Sequence, residues 1–242
     1  MFDTAIPFCT YDIRYIDKVI NSVRGVTNKI IIVYSDKLFN GENENLELIN
    51  SVKERNSDCI FYKMDFEPGK SSRYHNSKSR DLSCQISLTD NILFLDADEI
   101  FEKNKLDNWI KSNKLPDVVS FSNYWYYRDS KYRVGYIDDS IVMVNKKYCT
   151  KDLLYTEMDR SVFKLIDIPN RILHARDEND KPFCHHFSWV LTKDEMLKKI
   201  RSWPHKDDRD WKPLVEEEFS RPFNGQDIFG NKDYTILIDE PV

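Results

Sequence analysis

Glycine is scarce, with 6 residues in a chain of 242. They form no glycine-rich loop, which counts against a nucleotidyltransferase. No apolar run approaches the ~20 residues that a membrane helix needs. The N-terminal MFDTAIPFCTYDIR lacks the basic-then-apolar order of a signal peptide. Cysteine is present without a pattern. Cys9, Cys59, Cys84, Cys149 and Cys184 are odd in number, widely spaced and form no CxxC pair. Neither a zinc knuckle nor a disulfide framework is indicated, and reduced thiols in a cytosolic setting are expected. A basic excess is also missing. The 36 Lys and Arg are interspersed with 41 Asp and Glu for a net charge of -5, which argues against a general nucleic-acid binder. No repeat, low-complexity tract or linker is visible, so one domain is expected.

What is present is a rhythm of strand and helix. Ala5–Cys9 is a short apolar run, read as a first strand. Ile13, Ile16, Ile20 and Val23 share one helical face, and Gly25 is placed to end that helix. Lys29–Tyr34 and Cys59–Met64 read as strands, with a helix carrying Leu46, Ile49 and Val52 between them. A polar helix over Arg73–Leu88, with Leu82 and Ile86 inward, leads to a strand at Ile92–Leu95. This alternation predicts a mainly parallel sheet covered by helices. The second half changes character. Asp117–Phe121, Asn123–Tyr127, Arg133–Ile137 and Ile141–Asn145 read as short strands in antiparallel pairs, and Val162–Ile166 as another. A late helix carries Met196, Leu197, Ile200 and Trp203 before Pro204, and Thr235–Ile238 reads as an edge strand.

The most specific stretch is NILFLDADEIF, Asn91–Phe101, where an apolar strand runs straight into Asp96, Asp98 and Glu99. In open parallel sheets, ligands bind at the carboxyl ends of the strands. On a continuing strand Asp96 and Asp98 face the same side. Two such carboxylates repel unless a cation lies between them, and oxygen ligands suit magnesium or manganese. The plain alternative is a solvated turn or a helix N-cap.

RDLSCQISLTDNILFLDADE resembles the donor-binding segment of GT-A fold glycosyltransferases. Family-2 members carry an Arg-Asn pair, a small-residue helix, an Asp and a strand ending in DADE. Here Arg80, Asp90 and Asp96-Ala97-Asp98-Glu99 stand in that order, with Asp81 where the pattern has Asn. CHHFSWVLTKDEMLKKIRSWPH, Cys184–His205, is similar to the His-x-Ser-Trp segment of family-17-type enzymes. The two segments cover about a sixth of the chain.

The resemblance implies the GT-A form of the α/β fold. That is a Rossmann-like, mainly parallel sheet with helices on both faces and a smaller antiparallel C-terminal part. It divides a single domain, 1–242, into a nucleotide-sugar-binding half, 1–101, and an acceptor-binding half, 102–242. The implied activity is metal-dependent transfer of a sugar from a nucleoside diphosphate sugar, UDP-sugar first, to a hydroxyl of a glycan acceptor. Asp98 would ligate Mn2+ (or Mg2+). Asp96 would contact the ribose or join the metal's ligands. His186 would supply the third ligand, with His185 the second choice. The diphosphate needs cations, and KSSRYHNSKSR offers Lys70, Arg73, Lys78 and Arg80. Arg80 is preferred by motif position, then Arg73. Asp36, after the IIIVYS strand, would touch the nucleoside or simply form a turn. Cys9 and Thr10 would border the base.

In the inverting reaction, the one expected, a carboxylate deprotonates the acceptor hydroxyl. Asp138, Asp139, Glu157 and Asp159 are candidates, with Glu157 preferred. The aromatic stretch Asn123–Tyr136 would wall the acceptor, although strand alternation sends half of its rings inward. Bacterial glycan clusters and large DNA viruses carry compact enzymes of this kind, so a cytoplasmic location, the host's if viral, is expected. The rival readings are a metal-dependent phosphohydrolase and an inactive sugar-binding module. The former places DxD after its first strand rather than its fourth. The latter has no need of the carboxylates.

Overall fold

The computed structural model describes residues 1–242 apart from Glu157, Glu240 and Val242. Its first half repeats strand and helix: β1 (Phe2–Pro7), α1 (Ile16–Val23), β2 (Ile30–Tyr34), α2 (Leu46–Arg55), β3 (Ile60–Lys63), α3 (Ser72–Ile86) and β4 (Asn91–Phe94). Then follow β5 (Glu99–Phe101), α4 (Lys103–Ser112), β6 (Val118–Tyr127), β7 (Asp129–Val134), β8 (Asp138–Asn145), α5 (Lys151–Leu154) and α6 (Val162–Leu165). The chain ends with β9 (Arg171–Ala175), β10 (Cys184–Trp189), α7 (Lys193–Lys199), α8 (Trp211–Phe219) and β11 (Tyr234–Ile236).

One sheet runs β11-β7-β6-β8-β4-β1-β2-β3. The run β4-β1-β2-β3 is parallel throughout. Beyond β4 the chain turns antiparallel through β8, β6 and β7. β10 lies parallel to β6 and antiparallel to β5. The period-2 alternation of a strand explains the layering. In β1, Phe2 and Ile6 face the core with α1 and α2, while Ala5 faces the core with α5 and α6. Leu93 and Phe94 of β4 divide in the same way. Helices therefore cover both faces, as the sequence predicts.

Several elements differ from expectation, among them the late helix, which ends at Lys199 and leaves Trp203 beyond it. β6 is one ten-residue strand where two were expected. At Ser122, the expected break, the register against β8 shifts without ending the strand, and the Ser122 hydroxyl donates to Asp139 Oδ1 at 2.6 Å. Val162–Leu165 is helical rather than extended, following a turn at Asp159–Ser161 and packing Val162 and Phe163 inward. A short apolar run fits either period, and tertiary packing chose. The inner face of α3 is polar. Leu82 and Ile86 are half-buried, whereas Ser72, Ser79, Arg80 and Ser83 are fully buried.

Asp3 of β1 is fully buried and staples two connections to the sheet. One carboxylate oxygen accepts from Asn28 Nδ2 at 2.9 Å and the Lys29 amide at 3.0 Å. The other accepts from Ser87 Oγ and the Leu88 amide, both at 2.8 Å. Burial acts to raise its pKa, but these donors prevail and hold it below the ordinary 3.8. Its contribution is therefore complete above pH 3.8 and fades as pH falls through the lowered pKa. Asp3→Asn sets an amide N–H2 against existing donors and is expected to cost about 2–3 kcal/mol at pH 7. Urea unfolding of both proteins should show that gap narrowing below pH 3.8. A gap that stays constant with pH would refute the carboxylate's role.

Candidate active site

A cleft of about 320 Å³ opens at the carboxyl ends of the parallel strands. Phe8, Cys9 and Asp12 after β1, Ser35 and Leu38 after β2, and Asp96 and Asp98 after β4 line it. Arg73, Asn76 and Ser79 of α3 form another wall. His186, Ser188 and Trp189 of β10, with Lys199 and residues 202–205 beyond α7, complete it. α7 is set in place by a reciprocal cap, in which Thr192 Oγ1 accepts from the Glu195 amide and Glu195 Oε2 accepts from the Thr192 amide.

Asp96 and Asp98 stand in a turn between β4 and β5, not on a continuing strand. Each therefore has its own partners. Asp96 Oδ1 accepts from Arg80 Nη2 at 3.1 Å, and its Oδ2 from Arg160 Nη2 at 3.2 Å. Burial acts to raise Asp96, but Arg160 and Arg80 outweigh it and hold the pKa low. Asp98, nearly buried, accepts through Oδ2 from Lys199 Nζ at 3.1 Å, and its Oδ1 lies 3.3 Å from His186 Nε2. Burial opposes its charge as well, and Lys199 with His186 holds its pKa well below the carboxylate range. Glu99 is fully buried. It accepts from Arg160 Nη1 at 2.8 Å and from the Asp96 amide at 2.7 Å. Burial lifts its pKa despite Arg160. For His186 burial opposes the charged form, but Glu99 and Asp98 win and lift it to about 9. Burial, helped by the charges of Asp98 and Asp96, pushes Asp12 up to about 6, against the pull of Lys199.

Ligand atoms of Asp96, Glu99 and His186 all lie within 4.8 Å of one another, close enough to share an ion. Among the described residues, Asp98 Oδ1 and His186 Nδ1 are buried without a hydrogen-bond partner. Buried acceptors without donors are rare. This oxygen-and-imidazole set suits Mn2+ or Mg2+, so these residues fit the group that the sequence implies. A metal would require His186 as neutral imidazole.

The other sequence candidates are spread more widely. His185 alternates away from His186 along β10, where Tyr126 Oη lies 2.7 Å from its Nδ1. Arg80 is buried and ion-paired with both Asp96 and Asp159. Burial pushes its guanidinium down to about 10. Arg73 lines the cleft but grips Asp208 at 2.8 and 3.0 Å. Thr10 directs its amide to Glu44 Oε2 at 3.0 Å and its hydroxyl to the same carboxylate. Asp36 pairs with Lys63 at 2.7 Å and is not among the cleft residues. Asp138 opens β8 off the cleft wall, where Asn123 Nδ2 donates to it at 3.4 Å. Glu157 lies outside the described residues. Of the aromatic stretch, Trp125 reaches the cleft, while Tyr126 and Tyr127 are fully buried.

No protein-family model matches the sequence, and no curated protein does. Solved structures do. S. aureus TarS 1–349 in complex with UDP-GlcNAc superposes with a TM-score of 0.50 at 12% identity, over 82% of this chain. The fold is the GT-A glycosyltransferase fold. The chain spans 64% of that TarS chain. The glycosyltransferase GlyE of Streptococcus pneumoniae TIGR4 gives a TM-score of 0.46 at 13% identity, over 93% of this chain and 65% of GlyE. HddC from Yersinia pseudotuberculosis gives 0.48 at 11% identity, over 82% of this chain and 97% of HddC. Those two scores are too low to bear on the site.

In this GT-A chain, sequence reasoning missed three charges at the site, two of them buried. Arg160 binds the carboxylates of Glu99 and Asp96 and the Phe94 carbonyl at 3.0 Å. Lys199 holds Asp98 and lies 3.6 Å from Asp12, which also lines the cleft. Nothing local distinguishes these from the chain's other charged residues. The closest available signal was Glu99 itself, a third acid in the DADE turn that needed a cation.

Proposed function

We propose that the protein is a nucleotide-sugar glycosyltransferase, moving a sugar from a nucleoside diphosphate sugar, UDP-sugar first, to a hydroxyl of a glycan acceptor. The observation that carries this reading is the charge cluster on the cleft floor. Asp96 and Asp98 sit at strand carboxyl ends within reach of Arg80, Arg160 and Lys199. A diphosphate there meets the Lys199 ammonium and a set of metal ligands, with Arg80 and Arg160 buried behind Asp96. The UDP-GlcNAc bound by TarS, similar in fold, supports a uridine donor.

Asp98, Asp96 and His186 would hold Mn2+ or Mg2+, with Glu99 as a further ligand. A divalent ion would take up charge developing on the leaving diphosphate. Arg80 would orient the phosphates. Glu157 would accept the acceptor's proton, with inversion at the sugar carbon. Trp125, Trp189 and Trp203, all on the cleft wall, offer apolar faces for a sugar ring. Residues 1–242 would act as one domain. His186 and Lys199 reach into the donor half, 1–101, from the acceptor half, 102–242.

The test is calorimetric titration of UDP, GDP and dTDP, each with manganese or EDTA, into wild type and Asp98→Ala. UDP is expected to bind with manganese, and about a hundredfold more weakly with EDTA or in the variant. If no nucleotide binds, or binding ignores both metal and Asp98, the reading is wrong.

A further inference from the structure

Lys199 is an uncommon lysine. It is buried at the end of α7, yet its ammonium lines the cleft. Nζ donates to the Ser188 carbonyl at 2.8 Å, to Ser188 Oγ at 3.1 Å and to Asp98 Oδ2 at 3.1 Å. Asp12 Oδ1 stands 3.6 Å away, and the Trp189 ring centroid 5.6 Å. Lysine is almost never this buried unless paired, and here two carboxylates pair with it.

The cations of the cluster differ in kind. Arg160 is a rigid fork, fixed on Glu99, Asp96 and the Phe94 carbonyl. Arg80 is fully buried beside Asp96 and Asp159. Lys199 is a point charge on a flexible four-carbon stem and can change partners without dismantling a planar fork. Its nearest carboxylate is the one that the donor site needs. Asp98 Oδ2 is occupied by the ammonium, while its buried Oδ1 makes no hydrogen bond and has only the ion-pair contact with His186 Nε2 at 3.3 Å.

We propose that Lys199 is an exchangeable cation: it shields Asp98 from divalent ions in the nucleotide-free protein and moves to a phosphate oxygen when a nucleoside diphosphate enters. This rests on the nucleotide-sugar reading above. A positive charge 3.1 Å from Oδ2 opposes a divalent ion approaching the same carboxylate. A diphosphate beside it supplies the ammonium with another anion, and Asp98 is released. Metal and nucleotide affinities are then coupled, each raising the other. Lys199 is a positioning residue for Asp98 and a phosphate contact in the loaded site.

The experiment measures two affinities in wild type, Lys199→Gln and Lys199→Arg. One is for Mn2+ alone, by electron paramagnetic resonance. The other is for whichever of UDP, GDP and dTDP binds wild type, by calorimetry with manganese present. Lys199→Gln is expected to bind Mn2+ alone about tenfold more tightly and the nucleotide about tenfold more weakly. Lys199→Arg should restore much of the nucleotide affinity. The opposite signs separate exchange from simple damage. If Lys199→Gln loses both affinities, or changes neither, the proposal fails. Should Lys199→Gln not fold by circular dichroism, Lys199→Met is put through the same two titrations. If wild type binds no nucleotide at all, the donor reading falls, and the manganese titration still judges the hold of Lys199 on Asp98.

Discussion

Arg160→Met is expected to cost about 3–5 kcal/mol, a large share of a domain's total stability. Methionine replaces the volume of the arginine stem but none of its charge. Arg160 is nearly buried and holds the fully buried Glu99 by two hydrogen bonds, one of 2.8 Å. Without it, Glu99 keeps the Asp96 amide at 2.7 Å and lies 3.7 Å from His186, but loses its full countercharge. Burial already raises the Glu99 pKa, so in the variant the carboxyl should take up a proton. The Phe94 carbonyl at the end of β4 also loses its donor. The double variant Arg160→Met/Glu99→Gln removes the uncompensated charge and should recover more than half of the loss. Urea unfolding followed by circular dichroism measures both. A single-variant cost under about 1 kcal/mol would mean that the pair is not what holds the DADE turn.

Glu157→Gln is expected to lower kcat by about 10²–10⁴ with nucleotide affinity unchanged, the signature of a lost general base. Thr156 and Asp159, on either side of this position, both line the cleft. Asp159 carries a left-handed backbone at φ 54°, a conformation that costs a non-glycine residue energy and gathers at functional sites. Its carboxylate is paired with Arg80, so Asp159→Asn should loosen Arg80 and raise KM for the donor more than it lowers kcat. Asp138→Asn, off the cleft wall, should leave both near wild type. Steady-state kinetics of the three variants separate these cases. If Asp159→Asn loses kcat while Glu157→Gln retains it, the base is Asp159.

The sequence by itself determined the parallel half of the sheet and the place of the acidic turn. Both rest on short-range patterns. Short continuous apolar runs such as KIIIVY and ILFL, set between helical patterns, read as buried strands, and Gly25, with φ +83°, ends α1 where the helical period stops. The position of Asp96 and Asp98 at a strand's carboxyl end was legible for the same reason. What surrounds them was decided only by tertiary structure. Arg160 comes from 64 residues beyond Asp96, and Lys199 from 101 beyond Asp98. With 36 basic and 41 acidic residues, the sequence offers far too many pairings to choose among. The choice between His185 and His186 likewise waited on β10. Only once Cys184–Trp189 lies beside β6 and β5 does strand alternation turn one imidazole toward Asp98 and the other toward Tyr126. Ion pairs between distant segments leave no local period, because their geometry is set by how the sheet brings those segments together.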